Sequence, residues 1–228
     1  MKPLLLLHGA IGAQDQLQPL ASLLKDDYEV HTLNFFGHGG NPLTDEPFRI
    51  STFAYDVLGW MANQGIEQID LFGYSMGGYV ALYLAKNFPE KVGKIMTLGT
   101  KFDWTPEGAA KEVKMLNPDV ILEKVPKFAQ VLEQRHAPQD WKIVLQKTAE
   151  MMLHLGNQPD LTQPTLEAID HPVVIGVGDK DKMAGLPGSN WAYEHLPNAH
   201  LMVLPETPHP IEKVNLEPLA YHALQFFG

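Results

Sequence analysis

The 228-residue chain has no cysteine, only two arginines and no apolar run approaching the ~20 residues of a membrane span. The absence of cysteine excludes disulfides and thiol chemistry. A formal net charge of −10 argues against a nucleic-acid partner, because binding phosphates needs clustered basic residues. The apolar run after Lys2 is too short for a signal peptide. We therefore expect a cytoplasmic protein that binds neither nucleic acid nor membranes.

Strand-like and helix-like segments alternate along most of the chain, which predicts an α/β fold with a parallel sheet. Strands are expected near residues 3–7, 28–34, 69–74, 94–99, 172–178 and 200–205. Helices are expected near residues 14–25, 51–64, 76–88, 161–169, 188–196 and 211–226. Residues 104–158 carry helical patterns without a strand, so we predict a core of residues 1–100 and 160–228 and a helical insertion at residues 101–159.

The pattern G-x-S-x-G occurs once, at residues 73–77, and it is centred on Ser75. A strand-like run precedes it, and a helical stripe of Val80, Leu84 and Phe88 follows it. On such a sharp strand-to-helix turn the serine hydroxyl stands clear of the sheet, where a substrate carbonyl can reach it. The glycines on either side remove side chains that would clash within the turn. Ser75 is therefore the candidate nucleophile.

A serine nucleophile needs a base and an acid, and candidates for both follow later strands in the chain. Asp179 and Asp181 come directly after the run 173–178, and His209 follows the run 201–205. Parallel strands bring such residues together at the carboxyl edge of the sheet. His209 is the one histidine of ten in this position. No spacing typical of a metal site occurs.

Two further segments, His8-Gly9-Ala10 and Gly37-His38-Gly39, add to the motifs around Ser75, Asp181 and His209. Taken together, they make the sequence resemble the α/β-hydrolase fold superfamily, in its small esterase, haloperoxidase-like and MenH-like branch. The resemblance implies a mostly parallel sheet of about six strands, flanked by helices and covered by a helical cap. It also implies a Ser75–His209–Asp181 triad, since relatives read Gly-x-x-Asp at this point. Asp179, and Asp103 after the fourth strand, remain alternatives for the acid.

The resemblance implies further that the backbone N–H groups of Ala10 and Met76 form an oxyanion hole. It also implies that the insertion roofs Ser75 and forms an apolar acyl pocket. The alternative is a plain helical layer in which the methionines only fill the core. We expect the substrate-binding side chains to be Ile11, Met115, Phe128, Trp141, Met151 and Met152.

Tyr79 stands where MenH-like relatives carry arginine, and only Arg49 and Arg135 are available to bind anions. We therefore predict a carboxylesterase that acts on small, fairly apolar esters through an acyl-enzyme. It would need no cofactor or metal and would be a monomer or homodimer. The alternatives on the same triad are a thioesterase, a C–C hydrolase or MenH-like lyase, and a perhydrolase. A ligand-binding, receptor-like protein with little turnover is the alternative from another class.

Overall fold

The computed structural model describes residues 1–228 and is built around a six-stranded, fully parallel sheet. The strands are β1 (Lys2–Leu7), β2 (Tyr28–Thr32), β3 (Ile69–Tyr74), β4 (Val92–Leu98), β5 (Val173–Gly178) and β6 (Ala199–Leu204). Each of the six predicted strands is confirmed to within two residues at either end. Their order in the sheet is β2-β1-β3-β4-β5-β6. The strand order reverses between β1 and β3, because β2 lies on one side of β1 and β3 to β6 lie on the other. Open α/β sheets bind ligands in the crevice at such a reversal, at the carboxyl ends of the strands.

Ten helices accompany the sheet. They are α1 (Gln18–Leu24), α2 (Ile50–Gln64), α3 (Met76–Asn87), α4 (Pro106–Glu112), α5 (Pro118–Lys124), α6 (Pro126–His136), α7 (Trp141–Asn157), α8 (Gln163–Glu167), α9 (Leu186–His195) and α10 (Leu216–Phe227). The alternation of side chains along β1 divides the core between the two faces of the sheet. Leu5 and Leu7 pack with α2, α3 and α9, whereas Leu4 and Leu6 pack with α1 and α10. None of the helices combines the length and hydropathy that crossing a membrane requires.

Helices α4 to α7 fill the predicted insertion, and their starts follow from local signals. Thr105 and Asn117 accept hydrogen bonds from the backbone at the first turns of α4 and α5, and each is followed by proline. Pro126 separates α5 from α6, as its missing N–H predicts. The division into a core and a cap at residues 101–159 remains a prediction.

Three buried histidines join the insertion to the core. The ring of His38 lies 5.3 Å from that of His8 and 5.7 Å from that of His136, and all three side chains are fully buried. Burial lowers the pKa of His8 to about 3 and that of His136 to about 4, and it holds the pKa of His38 well below its ordinary value. The three rings are therefore neutral in the folded protein near neutral pH.

The lowered pKa values of these histidines predict that the folded protein loses stability in mild acid. In the unfolded chain they bind a proton near pH 6.5, whereas in the folded protein they remain neutral well below that pH. The unfolded state therefore binds more protons in this window, and stability falls as the pH falls. Between about pH 7.5 and about pH 5.5, His8 and His136 together should lower the free energy of unfolding by roughly 3 kcal/mol. Urea unfolding at the two pH values measures this difference.

Replacing the solvent-exposed His222 with glutamine is the matched control, and it should leave the pH dependence unchanged. In the His136→Gln variant, the change in the free energy of unfolding between the two pH values should be smaller by the contribution of one histidine, about 1.4 kcal/mol. Equal unfolding free energies at the two pH values for the unmodified protein would contradict the assignment of neutral, buried rings.

Candidate active site

Ser75 occupies a strained turn between β3 and α3. Its backbone has φ 51° and ψ −115°, a conformation that costs a serine roughly 1–3 kcal/mol. Its N–H donates to the Leu98 carbonyl at 2.8 Å, and its carbonyl accepts from the Thr100 hydroxyl at 2.9 Å. These bonds to β4 and to the loop after β4 hold the turn, and the Ser75 side chain remains partly exposed at the carboxyl edge.

The glycines of the motif are needed for space. A Cβ at Gly77 would overlap the Leu7 carbonyl of β1, and a Cβ at Gly73 would overlap the backbone of Gly78. The turn can therefore close this tightly against β1 only with glycine at both positions.

His209 and Asp181 form a hydrogen-bonded pair beside this turn. The distance from His209 Nδ1 to Asp181 Oδ2 is 2.8 Å, and the two side chains are 15% and 2% exposed. Asp181 Oδ1 accepts the N–H groups of Met183 and Ala184, both at 2.9 Å. Burial raises the pKa of the Asp181 carboxyl, but the hydrogen bond and charge of His209 and the two N–H groups outweigh it, so the pKa is lowered overall. Asp181 is thus a buried carboxylate that holds one tautomer of His209.

The other two candidate acids are engaged elsewhere. Asp179 accepts the N–H of Thr207 at 3.1 Å, and Asp103 pairs with Lys101 at 2.9 Å on a half-exposed side chain. Of the three carboxylates weighed from the sequence, the structure brings only Asp181 to the His209 ring.

A glycine at the end of β4 makes room for the pair. Gly99 has φ +63°, and a Cβ there would lie 3.0 Å from Asp181 Oδ2 and 3.3 Å from His209 Nδ1. Tyr74, the residue before Ser75, donates its hydroxyl proton to the His209 carbonyl at 3.0 Å. The histidine loop is therefore tied to the strand that carries the serine.

The His209 ring makes one hydrogen bond within the protein, to Asp181, so its Nε2 is free. No hydrogen bond joins the Ser75 hydroxyl to this ring. Contacts between a nucleophile and its base often tighten only when substrate binds.

Two backbone N–H groups are available next to Ser75. Met76 is the first residue of α3, so its N–H has no acceptor within the helix. Ala10 follows Gly9, where a Cβ would lie 3.2 Å from the Ser75 Cβ. Ala10, Ser75 and Met76 line one cavity, so both residues lie beside the space in front of the serine.

That cavity has an empty volume of about 470 Å³, counted with its opening to solvent. Its lining is mostly apolar and comprises Ala10, Ile50, Ser75, Met76, Tyr79, Lys101, Trp104, Glu112, Met151, Met152, Leu155 and Met183. Helices α4 and α7 supply four of these residues, so residues of the predicted insertion line the cavity beside Ser75. Met151 and Leu155 of α7 also pack on the sheet core, so this helix both lines the cavity and forms a packed layer.

Met151 and Met152 line the cavity as expected, but Ile11, Met115, Phe128 and Trp141 do not. Met115 and Phe128 are 55% and 39% exposed on the outside of the insertion. Trp141 is buried in a separate small core with residues of α5 and α6, and Ile11 packs against it. We therefore leave these four residues out of the proposed pocket.

Sequence reasoning missed several cavity residues. Tyr79 is buried, and its hydroxyl accepts the Leu161 N–H at 2.9 Å, which ties α3 to the chain returning from the insertion. Lys101 and Trp104 follow β4, and their place after a strand end was the signal that could have identified them. Glu112 and Met183 gave no such signal. No group of three His, Asp or Glu side chains is arranged to hold a metal ion, and the absence of a cofactor stays a prediction.

Comparison with known proteins places this geometry in a family. A family model described as alpha/beta hydrolase fold matches residues 2–118, half of the chain. The pimeloyl-[acyl-carrier protein] methyl ester esterase of Neisseria meningitidis serogroup C is 27% identical over 231 residues, covering 92% of this chain and 87% of that protein.

Two solved structures share the fold at low identity. An esterase from Thermogutta terrifontis has a TM-score of 0.81 at 18% identity and covers 100% of this chain and 89% of its own. MenH from S. aureus has a TM-score of 0.77 at 21% identity and covers 99% of this chain and 93% of its own. The chain therefore belongs to the alpha/beta hydrolase fold family and is a hydrolase with an esterase among its relatives.

Proposed function

We propose that this hydrolase is a serine carboxylesterase in which Ser75 is the nucleophile, His209 the base and Asp181 the acid. The observation that carries the proposal is the 2.8 Å hydrogen bond between His209 and a buried Asp181, made at the sheet edge where Ser75 occupies a strained turn. Pure ligand binding gives no reason to combine these three features.

In the first half-reaction, His209 Nε2 takes the hydroxyl proton of Ser75 as Oγ attacks the ester carbonyl carbon. The carbonyl oxygen becomes an oxyanion that accepts hydrogen bonds from the N–H groups of Ala10 and Met76, each contributing roughly 3 kcal/mol. Asp181 stabilises the imidazolium form of His209. The imidazolium then gives its proton to the departing alkoxide, and the alcohol leaves an acyl-Ser75.

In the second half-reaction, His209 removes a proton from water, and the oxygen of that water attacks the acyl carbon. The tetrahedral intermediate uses the same two N–H donors. It collapses as His209 returns the proton to Ser75 Oγ, and the free carboxylic acid is released.

The cavity lining favours a neutral acyl group. Its two charged side chains, Lys101 and Glu112, have opposite signs, and Lys101 is already paired with Asp103 at 2.9 Å. Next to Ser75 the remaining surface comes mainly from methionine, tryptophan and aliphatic side chains, which stabilise an apolar chain by burial. We therefore propose short-to-medium, uncharged acyl esters as substrates.

A second candidate is the methyl ester of a longer acyl chain. The observation that favours it is the match to an esterase whose name specifies a methyl ester, a match that covers 92% of this chain. The chemistry at Ser75 would be the same, with methanol as the leaving group.

We expect Ser75→Ala to fold normally, to lose labelling by a fluorophosphonate probe and to lower kcat by about 10⁴ or more. The hydroxyl is removed while the backbone contacts of the turn remain. Labelling detected by mass spectrometry, with circular dichroism as the test of folding, measures this effect. Ser22→Ala, at an exposed serine of α1, is the matched control and should behave as the unmodified protein does. Labelling retained in Ser75→Ala would contradict the assignment.

Asp181→Asn should lower kcat by two to four orders of magnitude, on the order of 3–5 kcal/mol, because an amide stabilises neither the imidazolium nor the right tautomer. Asp179→Asn is the control two residues away and should cost less than about tenfold. Steady-state kinetics with p-nitrophenyl butyrate compare the two. The reverse ranking of the two variants would identify Asp179 as the acid.

Neutral esters should be turned over faster than anionic acyl carriers. The expected ranking by kcat/KM is p-nitrophenyl acetate and butyrate above acyl-CoA thioesters and the MenH substrate, because the cavity has no unpaired cation and the protein is acidic. Methyl esters of medium-chain acids belong in the same panel, at one ionic strength. A preference of tenfold or more for the CoA thioesters or the MenH substrate would favour the thioesterase or MenH-like alternative.

A further inference from the structure

The C-terminal end of α6, formed by Arg135 and His136, is buried among three loops of the core. His136 is fully buried, and the Arg135 side chain is 9% exposed. The His136 Nδ1 accepts the N–H of Gly39 at 3.2 Å, and its Nε2 lies 3.1 Å from the Ile11 carbonyl. Since Nδ1 accepts, the ring proton is on Nε2 and is donated to Ile11.

The Ile11 carbonyl begins a chain of hydrogen bonds that ends in the cavity. The peptide unit of this carbonyl also carries the N–H of Gly12, which donates to the Gly9 carbonyl at 3.1 Å. The next peptide unit joins the Gly9 carbonyl to the N–H of Ala10, a residue that lines the cavity with Ser75. His8 Nδ1 donates to the same Gly9 carbonyl at 2.8 Å. Two aligned peptide units therefore connect His136 to the Ala10 N–H, and aligned hydrogen bonds polarise one another.

The backbone at this point needs such support. Ile11 has φ 53°, in the left-handed region that β-branched residues rarely occupy. A strained residue keeps its conformation only where its surroundings hold it. Here the surroundings are the His136 hydrogen bond and the small core of α5, α6 and α7 against which Ile11 packs.

Arg135 extends the same contact to the loop that carries the base. It lies 3.6 Å from Asp15, which follows the Ala10 loop, and 3.6 Å from Glu212, three residues after His209. Glu212 also accepts a hydrogen bond from Gln16 at 2.7 Å. One helix end of the insertion thus touches both the loop that carries an oxyanion donor and the loop that carries His209.

We propose that His136 is a positioning residue, which fixes and polarises the Ala10 N–H through Ile11, Gly12 and Gly9. The proposal rests on the proposed function, because it assigns a role to an oxyanion donor. Burial lowers the pKa of His136 to about 4, which keeps the ring neutral and leaves Nδ1 able to accept from Gly39. His8, His38, Arg135 and Asp15 are the titratable or charged groups around it.

Two amide substitutions test the two hydrogen bonds of His136 separately. In His136→Gln, the amide nitrogen can take the place of Nε2 and donate to Ile11. In His136→Asn, the amide oxygen can take the place of Nδ1 and accept from Gly39, but the side chain is too short to reach Ile11. His136→Leu keeps bulk and loses both hydrogen bonds.

The test compares kcat and KM of the three variants with p-nitrophenyl butyrate, normalised to the sites labelled at completion by a fluorophosphonate. We expect the leucine and asparagine variants to lower kcat by about 10- to 100-fold with KM changed less than about threefold. The glutamine variant should stay within about threefold of the unmodified enzyme. Glu133→Gln, at an exposed position of α6, is the control and should change neither parameter.

Equal kcat values for the asparagine and glutamine variants would overturn the proposal, because the donation to Ile11 would then not matter. An unchanged kcat per labelled site in the leucine variant, with only a lowered thermal midpoint, would show a purely structural role and overturn it too. If the unmodified protein does not label at Ser75, the proposed function itself fails, and this proposal fails with it.

Discussion

The candidate active site depends on how tightly the turn at Ser75 closes. Its positive φ is maintained because β1 and β4 approach it from both sides, with Leu98 bonded to its N–H and Gly77 lying against the Leu7 carbonyl. Close packing of β1, β3 and β4 in one parallel sheet makes this approach possible. The order of strands then places the Gly9–Ala10 loop and α3 on the two sides of the reversal, next to the serine. A looser turn would change the position of the serine relative to the two proposed N–H donors.

Much of the fold could be predicted because its signals are local. A buried parallel strand is a short apolar run, and all six runs stand out from the sequence around them. Helix starts at Thr105 and Asn117 combine a capping side chain with a following proline, so their positions also follow from neighbouring residues. Ser75 and His209 are identified in the same way, because each follows a strand within a few residues.

What the sequence could not provide depends on contacts between distant segments. Asp179 and Asp181 differ by two positions in one loop, and only the path of that loop past Gly99 decides which carboxylate meets His209. The faces of α6 and α7 are another such case. Phe128 and Trp141 are apolar residues of the insertion, yet Phe128 is exposed and Trp141 is buried away from the cavity, because α5, α6 and the first turns of α7 form a small core of their own. Helical periodicity gives a face but not the neighbour that this face contacts.

The contacts of α6 and α7 with the core show that the predicted insertion is more than a cover. Helix α7 supplies Met151 and Met152 to the cavity and Val144 to the sheet core, so it cannot leave without exposing both. The end of α6 is held by two hydrogen bonds of His136, which donates to the Ile11 carbonyl and accepts from the Gly39 N–H. Since unpaired buried polar groups are costly, movement of this helix end would leave a strained Ile11 and a buried imidazole without partners. The side of the cavity near Ala10 is therefore held by the same contacts that join the insertion to the core.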